Sequence, residues 1–317
     1  MIASTIPVEE ERIQRVAPHI AHPDLLQGST VIRIGNESSL QFPDPKPPGD
    51  FRTSCFYDPG ARPLNSFRRY IAIITCAVQE ADKDWNLREM RVDCDGTEDI
   101  HLRLIGNPRP GDPPLLVKHV MWSIIAVPHL WQRQGFAEIQ FRPILAGQIL
   151  GLGKVFRVGA RSEDDNISWG STSPQMTYNE SAGTQTYRSQ SLAPGNRDFY
   201  LQVHPSLSDR VLCTAAVFYN QLTSMIMHLA VMDRDSLISE IQVYDQEHDI
   251  TFEMSAARGI ALEDFPQRAV LQAIEALANY EADVRADWRF RPFTGTVSVD
   301  RRVVGTTALF EGVRPHE

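Results

Sequence analysis

The sequence predicts an α+β fold that occurs twice in tandem, and two observations carry this prediction. Alternating polar and apolar strands and helix-length apolar segments follow one another in the same order in both halves of the chain. The strand from Asp99 to Leu104 has a counterpart from Asp249 to Met254, and Phe141-Arg142-Pro143 has a counterpart at Phe290-Arg291-Pro292. Both counterparts lie nearly the same number of residues further along the chain, so the two halves differ by almost no net insertion between these positions.

These patterns divide the chain into four segments. Residues 1–49 are an N-terminal arm, 50–158 a first unit, 159–197 a polar linker or arm, and 198–317 a second unit. The Pro-rich run at the end of the N-terminal arm excludes a helix or a central strand there, because each proline removes a backbone donor and restricts the preceding residue. The linker is rich in Ser, Thr, Asn and Gly, which is typical of flexible connections.

The first unit begins with a strand from Phe51 to Tyr57. Apolar residues recur every three or four positions between Pro63 and Asp82 and predict a helix with one buried face. A hairpin with an Asp-Gly turn at Cys94 to Thr97 is expected to join the next two strands. The remaining elements are predicted as strands at 87–93 and 99–105, a helix at 115–132, and strands at 136–142 and 148–158.

The second unit opens at Pro194 to Phe199, which echoes Pro48 to Phe51. Its helix at 209–232 carries a Met-containing apolar stripe that is more typical of a core than of a partner groove. Its other elements are predicted as strands at 199–203, 240–244 and 249–254, a helix at 262–284, and strands at 288–293 and 303–310.

Each unit therefore has the order β-α-β-β-α-β plus one strand. This order predicts two tandem ferredoxin-like sandwiches with irregular arms, each an antiparallel sheet with two helices on one face. The Phe-Arg-Pro strand at Phe141 and the strand interrupted by Gly151 and Gly153 resemble a module of uncharacterised filamentous-fungal proteins. The resemblance covers each unit without its arms, rests on hydrophobic patterns, and implies no activity or cofactor.

Composition excludes several classes of protein. The chain has 317 residues, of which 42% are hydrophobic, so it has enough apolar material for one large or two mid-sized cores. A formal net charge of -9 argues against a general nucleic-acid binder, although a local basic face is compatible with it. We find no uninterrupted apolar run long enough to span a membrane and no readable signal peptide, so an intracellular location is expected.

Four cysteines, at positions 55, 76, 94 and 213, form no Cys-x-x-Cys pair and occupy no matched positions in the two halves. Neither a zinc site nor a disulfide framework is favoured by this spacing. We expect four reduced thiols, most of them buried.

The most polar candidate site lies on the sheets. If the helices cover the face that carries Ile100, Leu102 and Phe141, the opposite face is charged in both halves. Two such faces turned toward each other would enclose a cavity for an anionic or polar ligand, whereas a solvated sheet surface with scattered ion pairs is the simpler interpretation. The candidate ligand-binding residues are Arg91, His101, Arg103, Glu138, Arg142, Tyr244, Glu253, Arg289 and Arg291.

Other motifs favour structural interpretations. Gly151-x-Gly153 before Lys154 lies inside a predicted strand and precedes no helix, which is unlike a phosphate-binding loop. The acidic turn from Asp93 to Asp99 lacks the ligand spacing of an EF-hand. His119 and His129 are too far apart on one helix to form a metal pair. No catalytic residue and no metal ligand is assigned.

The absence of a catalytic signature favours a non-catalytic structural or assembly protein, such as a coat, filament or scaffold protein. Long irregular stretches need a surface to order them, so we expect homo-oligomers that associate through residues 1–49 and 159–197. The alternative is a small-molecule-binding protein or enzyme with a polar cavity between the sheets. In that case Arg103, Arg142 and Arg291 would anchor an anion, and His101, Glu138 or Tyr244 would act as acid or base.

Overall fold

The computed structural model describes residues 19–21, 30–35, 45–56, 63–64, 66–97, 100–107, 111–134, 137–157, 175–179, 184–190, 198–206, 208, 210–233, 236–259, 265–284 and 289–313. These residues form four helices and two antiparallel sheets, which confirms a mixed α+β architecture. Within these residues, no helix has both the length and the apolar character needed to cross a membrane.

The elements of the first half include the predicted ones in the predicted order, together with two short strands that were not predicted. They are β1 (His19–Ala21), β2 (Thr30–Gly35), β3 (Phe51–Phe56), α1 (Ser66–Ala81), β4 (Arg91–Thr97), β5 (Ile100–Gly106), α2 (Val117–Gln134), β6 (Ile139–Leu145), β7 (Gln148–Ile149) and β8 (Gly151–Arg157). The second half contains β9 (Gln175–Asn179), β10 (Thr184–Gln190), β11 (Asp198–Pro205), α3 (Ala215–Ala230), β12 (Glu240–Asp245), β13 (Ile250–Ala256), α4 (Gln267–Asp283), β14 (Phe293–Val299) and β15 (Arg302–Glu311).

The two sheets share one strand order. Sheet A runs β1-β3-β6-β8-β5-β4, with β7 paired to β6, and sheet B runs β2-β12-β13-β15-β14-β11-β10-β9. In each half the first strand of the unit pairs with the fourth, the fourth with the fifth, the fifth with the third, and the third with the second. The cross-strand register is also shared, because Leu104 pairs with Val92 and Gly153 as Met254 pairs with Ile241 and Thr307.

This strand order does not confirm the ferredoxin-like prediction. A ferredoxin-like sheet places its first and third strands side by side and parallel. Here the fifth strand of each half lies beside the third, and every described strand pair is antiparallel. The fifth strand of each half, which is the one added to the β-α-β-β-α-β order, lies inside the sheet between the fourth and the third strand.

Two local predictions are wrong. Cys94 to Thr97 is not a turn, since β4 continues to Thr97 and Cys94 pairs with Leu102. Phe290-Arg291-Pro292 precedes β14 and does not match Phe141-Arg142-Pro143 inside β6. The register shows the true counterpart of Phe141, because Phe141 pairs with Cys55 and Gly153 as Gly295 pairs with Val203 and Thr307.

The described parts of the predicted arms pair with this chain's own sheets. The strand β1 lies beside β3 at one edge of sheet A, and β2 lies beside β12 at one edge of sheet B. The hairpin β9–β10 lies within the predicted linker and extends sheet B beyond β11. Among the remaining residues of the two arms, the structure describes only 45–49, so association of subunits through the arms stays a prediction.

The helices of the two halves pack against each other between the sheets. Helix α1 contacts α3 and α4 of the second half as well as its own partner α2. Tyr70 and Tyr219 hold the same position counted from the start of α1 and α3, and their rings stack with centroids 4.7 Å apart and an interplanar angle of 5°. All residues of α1 from Arg69 to Val78 are buried, so this helix is covered on every side.

Polar contacts also join the halves. Arg268 of α4 lies 2.6 Å from the carboxylate of Asp82, which follows α1. Glu275 of α4 is hydrogen-bonded to Thr75 of α1, and burial raises its pKa above the ordinary value.

Within the second half, Glu281 near the end of α4 is fully buried and accepts a hydrogen bond from the backbone of Phe290 at 2.8 Å.

The expectation of four reduced thiols is wrong for one pair. Cys76 of α1 and Cys94 of β4 are joined as a disulfide, because the helix lies directly on this strand and brings two distant sequence positions together. Cys55 and Cys213 are buried thiols. Burial raises the pKa of both, and that of Cys213 reaches about 12.

This pairing predicts the number of reactive thiols. Protein denatured without reductant should titrate with Ellman's reagent as the two thiols of Cys55 and Cys213, and reduction should raise the count to all four cysteines. Reduction should also lower the free energy of unfolding by about 3 kcal/mol, which is typical for a loop of this length. Four reactive thiols before reduction would contradict the disulfide.

Glu281 predicts a pH dependence of stability. Burial raises its pKa from 4.5 to about 8, although Phe290 and Arg289 act in the opposite direction. The folded protein therefore keeps a proton that the unfolded chain loses between pH 4.5 and 8. The free energy of unfolding should fall as pH rises through this window, by up to about 1.4 kcal/mol per pH unit.

The variant Glu281→Gln tests this origin, since an amide oxygen can still accept the hydrogen bond from Phe290. Urea denaturation across the pH window should give a flatter profile for this variant and greater stability than the parent at high pH. Glu247→Gln, on an exposed turn, is the matched control and should keep the parent profile. An unchanged slope in Glu281→Gln would assign the pH dependence to other groups.

Candidate functional site

The outer face of sheet A is the face turned away from the helices. Burial alternates along β5, where Ile100, Leu102 and Leu104 point inward and are fully buried. The register then places the following residues on the outer face: Arg52, Ser54, Phe56, Arg91, Asp93, Asp95, His101, Arg103, Ile105, Gln140, Arg142, Ile144, Leu152, Lys154 and Phe156. Five of these residues are Arg or Lys and two are Asp.

An ion cluster lies at the β4 side of this face. The carboxylate of Asp93 accepts hydrogen bonds from Arg103 Nε at 2.8 Å and from Arg91 Nε at 2.7 Å. Although partial burial raises the pKa of Asp93, the bonds from Arg103 and Arg91 lower it below the ordinary value. At the next outward-facing pair of β4 and β5, His101 Nδ1 lies 2.6 Å from the carboxylate of Asp95.

Cations and aromatic rings alternate across the centre of the face. Phe156 of β8 has the guanidinium of Arg103 at 5.8 Å and the ammonium of Lys154 at 5.5 Å from its ring centroid. Phe56 of β3 lies under the guanidinium of Arg142 at 4.7 Å. These distances are typical of cation–π pairs, which hold the charged groups over the sheet.

An apolar row borders the cations. Ile105 and Leu152 pair directly across β5 and β8, and their side chains are 45% and 48% exposed. Ile149 of β7 is 42% exposed and pairs with Ile144 of β6. Large apolar side chains grouped at this exposure are characteristic of binding surfaces. The outer face of sheet A therefore combines cationic and apolar groups.

Two glycines of β8 keep this arrangement in place. A Cβ atom at Gly153 would overlap the ring of Phe141, and one at Gly151 would meet the carbonyl group of Ile105. The glycines thus allow close packing beneath the strand while Leu152 and Lys154 point outward. The interpretation of Gly151-x-Gly153 as strand residues is confirmed.

The matched face of sheet B has different chemistry. Residues that hold the same place in the cross-strand register are Glu240 for Arg91, Glu253 for Arg103, Ala308 for Lys154, Thr296 for Arg142 and Tyr200 for Arg52. Each of the five cations of sheet A thus has a neutral or acidic counterpart. The centre of this second face is also covered, since Gln242, Thr251 and Glu253 are all buried.

The two polar sheet faces do not enclose a cavity between them. The helices of both halves pack together and lie between the sheets, so the outer faces point away from each other. Arg91, His101, Arg103 and Arg142 lie together on sheet A, and Glu138 lies directly before β6, where it accepts a hydrogen bond from the backbone of Arg157. Tyr244 and Glu253 lie on sheet B at the opposite side of the molecule.

Arg289 and Arg291 do not belong to either outer face, because the strand predicted around them begins only at Phe293. The guanidinium of Arg289 lies 4.2 Å from the ring centroid of Phe67 and donates to the carbonyl oxygen of Ala282 at 2.8 Å. Its contacts place it at the junction of the two halves. The structure therefore does not place Arg289 and Arg291 in a strand of either sheet.

Lys154 and Phe156 were missed as site residues. Glycines at 151 and 153 make the sequence of β8 look irregular, so its alternation was not used to assign faces. The signal was nevertheless present, because Leu152, Lys154 and Phe156 alternate with Gly151, Gly153 and Val155.

Comparison with known proteins gave no relative: no family model matches the chain, and no similar curated protein or solved structure was found.

Gly153 provides a test of the packing beneath the site. The variant Gly153→Ala should lower the free energy of unfolding by about 1–3 kcal/mol in urea denaturation, because the new methyl group overlaps the ring of Phe141. The control Gly49→Ala adds a methyl group with no neighbour within 4 Å and should change stability by less than about 0.5 kcal/mol. Equal effects of the two variants would contradict the packing.

Proposed function

We propose that this protein is a non-catalytic interaction scaffold that arose by internal duplication and binds an acidic polypeptide segment on the outer face of sheet A. The observation that carries the proposal is the contrast between the two sheets. Five cations stand on the outer face of sheet A, and none of their matched positions in sheet B is basic.

Duplication is supported by three independent correspondences. The halves share a strand order and a cross-strand register. Isolated bridges also recur, since Arg88 pairs with Leu116 before α2 as Leu237 pairs with Pro266 before α4. Finally, Tyr70 and Tyr219 stack on each other from the same helical position. One ancestral unit with these features accounts for all three.

The second half serves as an internal control for the first. It builds the same sheet with Glu253 in place of Arg103 and Ala308 in place of Lys154, so the fold does not require cations at these positions. Placing several like charges close together costs energy through their repulsion. A binding role for negative charge explains why the first half carries them.

The apolar row favours a polypeptide over a nucleic acid. A nucleic-acid surface gains most of its affinity from phosphate contacts, which require no apolar side chains beside the cations. Ile105 and Leu152 instead offer exposed apolar area beside Arg103 and Lys154. A segment with both carboxylates and apolar side chains complements this combination.

A non-catalytic role is supported by the setting of the charged groups. Arg91, Arg103 and Asp93 bind one another on a face that stays partly exposed, with side chains 59%, 44% and 33% exposed. Catalytic acids and bases usually lie in enclosed sites that shift their pKa strongly. Among the coat, filament and scaffold roles, the one proposed is that of a scaffold, which holds the acidic partner on the outer face of sheet A.

Fluorescence anisotropy with three labelled probes tests the proposed function. The probes are a peptide of glutamate and leucine, a polyglutamate peptide of equal charge, and an oligo-dT of equal charge. The glutamate–leucine peptide should bind best, and its affinity should fall as salt rises, because the charges are exposed. The double variant Arg103→Glu, Lys154→Glu should weaken its binding by at least about ten-fold.

Two controls make the result specific. Arg302→Glu reverses an exposed charge at the start of β15 in sheet B and should leave binding unchanged. The double variant Ile105→Ser, Leu152→Ser should weaken binding of the glutamate–leucine peptide but not of polyglutamate. Tighter Arg103-dependent binding of oligo-dT would replace the proposal with nucleic-acid recognition, and no binding of any probe would overturn it.

A further inference from the structure

The strand β4 forms one edge of sheet A. Among the described residues it pairs with β5 only, and no described strand lies on its other side. The matched strand of sheet B is β12, which pairs with β13 on one side and with β2 of the N-terminal arm on the other. The same position in the sheet thus accepts one more strand in the second half than in the first.

The pairing of β2 with β12 indicates what such an added strand does. All six residues of β2 pair with β12, from Thr30 opposite Asp245 to Gly35 opposite Glu240. Ile32 and Ile34 pair with Val243 and Ile241 and pack against the core. The second half therefore accommodates an additional antiparallel strand at this edge of its sheet.

The side chains of β4 form a self-complementary pattern. On the outer face they run Arg91, Asp93, Asp95, and their side chains are 59%, 33% and 55% exposed. If two copies of β4 pair antiparallel about Asp93, Arg91 of each copy stands opposite Asp95 of the other. The two facing Asp93 carboxylates are each already neutralised by Arg91 and Arg103 of their own chain.

Exposed apolar residues before β4 also favour association at this edge of the sheet. Met90 directly precedes β4 and Leu87 lies earlier in the same loop, and the two residues are 49% and 47% exposed. Charged side chains or a bulge commonly protect an edge strand against association. The irregularity of β4 lies at its far end, between Asp95 and Thr97, and its charges have both signs.

We propose that β4 pairs antiparallel with β4 of a second copy of this chain, centred on Asp93, and joins two A sheets into one continuous sheet. Backbone hydrogen bonds between the edges supply affinity, and the two reciprocal Arg91–Asp95 pairs set the register. The association is isologous, so it produces a closed dimer with twofold symmetry. It goes beyond the proposed function, since it uses the edge of the sheet and a different partner.

A charge-exchange experiment tests this dimer on the full chain. Sedimentation velocity over a concentration series should show the parent protein approaching twice the monomer mass. The single variants Arg91→Glu and Asp95→Lys each place like charges opposite each other, and each should weaken self-association by at least about ten-fold. Mixing the two variants restores opposite charges at both pairs and should recover the dimer.

Recovery on mixing distinguishes the proposal from loss of folding, because two unfolded variants would not complement each other. Circular dichroism and the thermal midpoint of each variant check the monomer directly. Arg302→Glu, far from β4, should leave the dimer intact. A parent protein that stays monomeric at every concentration, or single variants that dimerise as well as the parent, would overturn the proposal.

The outcome is also separable from that of the peptide-binding experiment. Lys154 lies on β8, separated from the edge strand by β5, so Lys154→Glu alone should weaken peptide binding without changing the mass of the dimer. Reversal of Asp95 should change the mass with a smaller effect on peptide binding. Failure of one experiment therefore leaves the other proposal standing.

Discussion

The stack of Tyr70 on Tyr219 lies at the contact on which the whole arrangement depends. Each sheet is apolar on one face only and must bury that face under helices. The helices then carry apolar surface on their opposite side as well, as the complete burial of α1 from Arg69 to Val78 shows. Packing of helix on helix buries this second surface, so each half supplies the cover that the other requires.

The layer of packed helices between the sheets determines where a binding or reactive site can lie. Because the helices occupy the space between the sheets, both polar sheet faces point outward and neither contributes to an enclosed cavity. Ionisable groups trapped in the centre, such as Glu281 and Glu275, have raised pKa values because burial disfavours their charged forms. They act on stability, whereas Arg103 and Lys154 at the surface remain accessible to a partner.

The two halves use one scaffold for different surfaces. Sheet B has its edge strand β12 covered by β2 and the centre of its outer face buried around Glu253. On sheet A, Arg91 and Arg103 of the outer face stay partly exposed, and no described strand pairs with the second edge of β4. Two halves with one strand order can differ in this way, because stability requires only that the inner face stays apolar, while substitutions outside it change the stability little.

The sequence by itself determined the number, type and order of the main elements, because hydrophobic periodicity depends only on neighbouring residues. It also predicted that Arg91, His101, Arg103 and Arg142 share one face of the sheet, since side chains alternate along any strand. Only the tertiary structure decided the strand order, the Cys76–Cys94 pair and the outward orientation of both faces. These features depend on contacts between residues distant in the chain, and periodicity within one segment carries no information about which segment becomes its neighbour.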